Sequence, residues 1–96
     1  MEEGIVLIKN VFRDLDDKSF LFSCKVISGS VEKGDLLVFS IQNQFLILGV
    51  ENHDKLIGNS IIIKIDNSIA DIVKPFNLNG DIFKIITPAT YEGILK

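Results

Sequence analysis

The chain has 96 residues, of which 47% are hydrophobic and 24% charged, with a formal net charge of −3. That length makes one domain, and the apolar content excludes disorder, because disordered chains are poor in apolar residues. Every apolar run is broken by Lys, Asp, Glu or Asn well short of the roughly 18 residues that a membrane-spanning helix needs. Ten basic residues are scattered along the chain rather than gathered in a stripe, so the long-range field does not favour a polyanion such as duplex nucleic acid. One cysteine permits no internal disulfide, and Met1-Glu2-Glu3-Gly4 is acidic where a secretory signal would be basic. The expected compartment is the cytoplasm.

In chain order, six β-branched and aromatic segments stand between turn-forming residues, an all-β pattern. They are Ile5–Phe12, Phe20–Ser28, Leu36–Ile41, Phe45–Glu51, Ser60–Ile65 and Asp81–Thr87. Arg13–Lys18, Ser28-Gly29-Ser30, Gln42-Asn43, Asp54–Asn59 and Asn77–Gly80 supply the Gly, Asn, Asp and Ser that turns require. Ile69–Val73 can form one helical turn, which Pro75 ends. Six short strands in so small a chain predict a closed antiparallel barrel, because closure removes exposed strand edges. Residues 1–87 form this domain, and 88–96 form a tail that packs on the barrel or on a partner.

Alternation along the second segment predicts that Phe20, Phe22, Cys24 and Val26 face the core, while Ser19, Ser23 and Lys25 share the other face with Leu21 and Ile27. Elsewhere the alternation fails. Phe45-Leu46-Ile47-Leu48 and Ile61-Ile62-Ile63 are apolar on both faces, as in strands covered on both sides. The surplus predicts a contact surface.

Chemistry finds little material. His53 is the single histidine, beside Asp54 in a predicted loop, and Cys24 is predicted to point inward, where a thiol is inert. Asp14, Asp16 and Asp17 lack the later Gly and bidentate Glu of a calcium loop. One His and one Cys fall short of a zinc site. No G-x-x-x-x-G-K-[ST] phosphate loop is present. We expect no enzyme, no metal, no nucleotide and no cofactor.

One stretch has a familiar layout. Phe20–Ser28 ends at Ser28-Gly29, turns through Val31-Glu32-Lys33-Gly34-Asp35, and re-enters a strand at Leu36-Leu37-Val38. Gly29 and Gly34 suit positive-φ positions, Val31 can plug a barrel end, and Asp35 can bond the turn's backbone. This resembles the second domain of translational GTPases such as elongation factor Tu, a six-stranded antiparallel barrel. Ile8-Lys9-Asn10-Val11-Phe12, Gly49-Val50-Glu51 and Gly80-Asp81-Ile82-Phe83 are similar to other strands of that domain. Ser23-Cys24 stands where the family usually has Thr-Gly, and the loop before the fifth strand is shorter here. The resemblance implies that Glu51 contacts the terminal adenosine of aminoacyl-tRNA, although Asn52-His53 replaces the family's apolar and aromatic residues.

Two functions follow. The first is an interaction module that binds another protein or a second copy of itself through apolar barrel surface. The second, implied by the resemblance, is a translation-linked protein that contacts RNA. The candidate binding residues are Glu51, His53, Lys25 and Tyr91, with Tyr91 the one aromatic of the tail.

Overall fold

A computed structural model describes residues 4–16, 18–40, 42–54 and 60–88, and the side chains of all of these but 52–54. The tail beyond Pro88, with Tyr91, lies outside the described residues. Six strands form, β1 (Gly4–Arg13), β2 (Phe20–Ser28), β3 (Leu36–Ser40), β4 (Asn43–Asp54), β5 (Ser60–Ile65) and β6 (Ile82–Ile86). They close into an antiparallel barrel in the order β1-β2-β5-β4-β3-β6, with β6 returning to pair with β1. Among the described residues, no helix is long and apolar enough to cross a membrane.

Closure needs bends, and the ladder supplies them as irregularities. Register shifts fall between Ile5 and Val6, Ile8 and Asn10, Ile47 and Gly49, and Asn52 and Asp54. Each extra residue turns its strand and increases the local twist. These bends carry β4 along the whole of β5, so Asp54 pairs with Ser60. The loop expected from His53 onward is corrected: the backbone of His53 and Asp54 belongs to β4.

Inward residues come from every strand. Phe20, Phe22 and Cys24 of β2 are buried, as their alternation predicts, and Val26 packs on them half-buried. Ile61, Ile63 and Ile65 of β5 point inward and leave Ile62 and Lys64 outside, half-buried. Val6, Ile8, Leu37, Ile47 and Ile85 complete the strand contribution.

The β2–β3 turn forms as its residues dictate. Gly29 and Gly34 have φ of 71° and 94°, in the left-handed region that favours glycine. The Glu32 amide donates to Asp35 Oδ2 at 3.0 Å, and Val31 packs against the core.

Two 3₁₀ turns close the connection between β5 and β6. The first spans Asn67–Asp71, two residues earlier than the sequence pattern suggests. The reason is a cap: Asp66 Oδ2 accepts from the Ser68 amide at 3.1 Å and starts the turn there. The Ser68 hydroxyl, and after it the Ser68 amide, hold the Asp66 carboxyl below its ordinary pKa by hydrogen bonding. The second spans Pro75–Leu78, where Pro75 opens a turn rather than only ending one. Ile69 and Leu78 join the core. Phe76 meets Phe20 edge-on at 5.7 Å, and the Arg13 guanidinium lies 5.7 Å from the Phe20 ring centre. This end of the barrel is thereby capped.

Candidate functional site

Strand register brings outward residues into rows that cross several strands. One row runs Phe12, Leu21, Lys64, Gly49 across β1, β2, β5 and β4. The next runs Asn10, Ser23, Ile62, Glu51. Gly49 contributes no side chain to its row, and a depression of about 290 Å³ opens there. Leu21, Val50 and Ile62 give it an apolar lining, while Asp14, Glu51 and Lys64 supply charge. Asp14 is placed by the β1–β2 hairpin, where its Oδ1 accepts from the Asp16 amide at 3.0 Å and its own amide donates to the Ser19 carbonyl. We call this depression the groove.

A second surface lies on β6, β1 and β2. Ile5 sits between Ser28 and Lys84, and Leu7 between Lys25 and Ile82. The register shift beside Ile5 leaves Ile27 as an extra, half-exposed residue. Ile82 is 60% exposed, more than any other large hydrophobic of the described strands. This group is apolar, with Lys25 and Lys84 at its border. Isolated exposed apolar residues are ordinary on a protein surface, whereas contiguous ones mark contact sites.

The candidate residues separate. Glu51 is exposed and borders the groove. Lys25 is exposed on the same side of β2 as Ser23, but it borders the second, apolar surface instead. His53 is placed by its backbone alone, in β4, and Tyr91 falls outside the described residues. Sequence reasoning missed Ile5, Leu7, Ile27 and Ile82 as a group, because only the β1–β6 pairing unites them.

Cys24 is fully buried and its Sγ donates to the Phe22 carbonyl at 3.3 Å. Burial pushes the thiol up to about 12, with Lys9 opposing part of the rise. An unfolded chain releases this proton near pH 9. The native protein holds it to about pH 12, so Cys24 contributes stability in full below pH 9 and loses it as pH rises to 12. Within that window stability should fall by about 1.4 kcal/mol per pH unit from this group. Urea unfolding of wild type and Cys24→Ala from pH 8.5 to 11 will check this, since only the wild type carries that part of the slope. Equal slopes would contradict a buried thiol.

A scan of protein-family models, a search of curated proteins and a search of solved structures each found no match to this chain.

Proposed function

We propose that the chain is a non-enzymatic interaction module that binds protein through the outer surface of its barrel. The observation that carries this reading is the apolar patch of exposed Ile5, Ile27 and Ile82 around half-buried Leu7, which lies outside the barrel's core. The state of Cys24, protonated and enclosed, supports a non-catalytic role.

Affinity capture of tagged wild type and Ile5→Asp/Ile82→Asp from the cells that make the protein tests the reading. Circular dichroism must first show that the variant is folded. Proteins retained by the wild type should be lost or reduced at least about tenfold with the variant, the effect of removing 1.4 kcal/mol of contact energy. Identical retention would contradict it.

A second reading rests on Glu51, which borders an apolar-lined groove. The resemblance to the second domain of translational GTPases gives such a glutamate the terminal adenosine of aminoacyl-tRNA. Titration of aminoacyl-tRNA against wild type and Glu51→Ala separates the two readings. Saturable binding weakened by the substitution would favour this one, and no saturation at moderate salt would end it.

A further inference from the structure

Barrel closure pairs strand edges, yet half of β4 keeps an open one. Ile47 spends both its backbone groups on the β3 side, accepting from the Gly34 amide and donating to the Asp35 carbonyl, each at 2.9 Å. β3 itself pairs with β4 only as far as Leu46. Past Ile47, among the described residues, β4 is paired with β5 alone.

The ladder determines which groups face that edge. Ile8 bonds with Gly80 and Asp81 through both its backbone groups, so its β2 partner Cys24 turns the other way and bonds with Ile61. Ile61 then has nothing left for Asn52, its partner on β4. Two residues along, the same alternation holds for Phe22, Ile63 and Val50. Val50 and Asn52 therefore aim N–H and C=O away from β5, and no described segment pairs with them there.

Backbone groups unpaired in a row are a template for another extended chain. Glu51 stands between them, exposed on the outer face, and among the described residues no cation pairs with it. Gly49 brings no side chain to that face, and Leu21 and Ile62 line the groove around it. We infer that this edge takes an extended segment of another protein as an added strand. A Lys or Arg of that segment lies beside Glu51, and an apolar side chain two residues away lies over Gly49. A second copy that paired its Val50 with Asn52 here would set Glu51 against Glu51, and like charges directly opposite repel. The occupant is a different chain. This surface is separate from the apolar patch of β6, β1 and β2 and does not depend on it.

Amide exchange and a peptide titration, both followed by heteronuclear NMR, test the edge. In the protein alone the Val50 and Asn52 amides should exchange freely, while the Glu51 amide, which bonds with β5, is protected. The probe is the capped peptide Thr-Val-Thr-Lys-Thr-Val-Thr, which presents Val, Lys and Val on one face in either direction. It should bind with a Kd of about 1 mM or tighter, shift the amides of residues 49–52 and slow exchange at Val50 and Asn52. N-methylating the two Thr residues that flank Lys removes the donors that face the edge, and binding should weaken at least about tenfold. Exchanging Lys for Glu in the peptide should weaken it similarly, and Glu51→Lys should invert that preference.

Protected Val50 and Asn52 amides in the protein alone would overturn the inference, since the edge would already be paired. So would unshifted amides at 49–52 with the peptide at about 5 mM, above the weak limit of specific association. Equal binding of the N-methylated peptide would do the same. Ile5→Asp/Ile82→Asp should bind the peptide as wild type does, so loss of either surface is read separately from loss of the other.

Discussion

Replacing Phe22 by alanine is expected to remove most of the barrel's stability. The side chain is fully buried, and its neighbours in the ladder, Val11 on β1 and Ile63 on β5, both point inward. Strands fixed by hydrogen bonds on both sides cannot collapse into the space left behind. A buried Phe→Ala change costs about 3–5 kcal/mol. Domains of this size have only about 5–15 kcal/mol in total. The melting temperature should fall by about 15–30 °C, measured by circular dichroism alongside urea unfolding. Phe76→Ala is the control. Phe76 is 55% exposed and touches Phe20 by its edge, so its loss should cost about 1 kcal/mol. Similar losses for both substitutions would contradict the assignment of inside and outside.

The second large effect concerns two glycines that look alike in the sequence. A Cβ on Gly4 would stand 2.6 Å from the Ser30 carbonyl oxygen and 3.3 Å from both Ile85 and Val31. The oxygen belongs to backbone, which cannot swing aside as a side chain can. Gly4→Ala should therefore push the β2–β3 turn off the barrel end and cost about 1–3 kcal/mol. At Gly49 the nearest atom to a new Cβ is Lys64 Cβ at 3.9 Å, an ordinary contact. Gly49→Val puts a β-branched residue into a strand and fills part of the groove, so stability should hold or rise by up to about 1 kcal/mol. Opposite signs from the same residue type are the expected outcome of urea titration. Equal costs would contradict the packing described at β1.

Much of the barrel was legible because its signals are local. Phe20–Ser28 and Ser60–Ile65 form strands with the boundaries that their turn residues suggest. The turn after β2 behaves as Gly29, Val31, Gly34 and Asp35 require. Local reading stops where pairing decides. β4 reaches Asp54 only because its irregularities keep it beside β5, and no residue type announces that extension. The apolar surplus was placed around Phe45–Leu48 and Ile61–Ile63, and part of it is there. Leu46 is half-exposed and Ile62 lines the groove, while Phe45 packs against the core. Another part sits on β1 and β6, where Ile5 and Ile82 are more than seventy positions apart in sequence and on neighbouring strands in space. The groove is likewise a product of register, since Leu21, Gly49 and Ile62 meet only through three paired strands.

The claim that the outer apolar surface exists for contact is open to direct measurement in living cells. A photocrosslinking amino acid placed at Ile82, and separately at the exposed polar position Asp66, reports what each site touches. Protein adducts should form at position 82 and be absent at 66. Position 82 yielding no more adduct than 66, in protein shown to be folded, would contradict the claim.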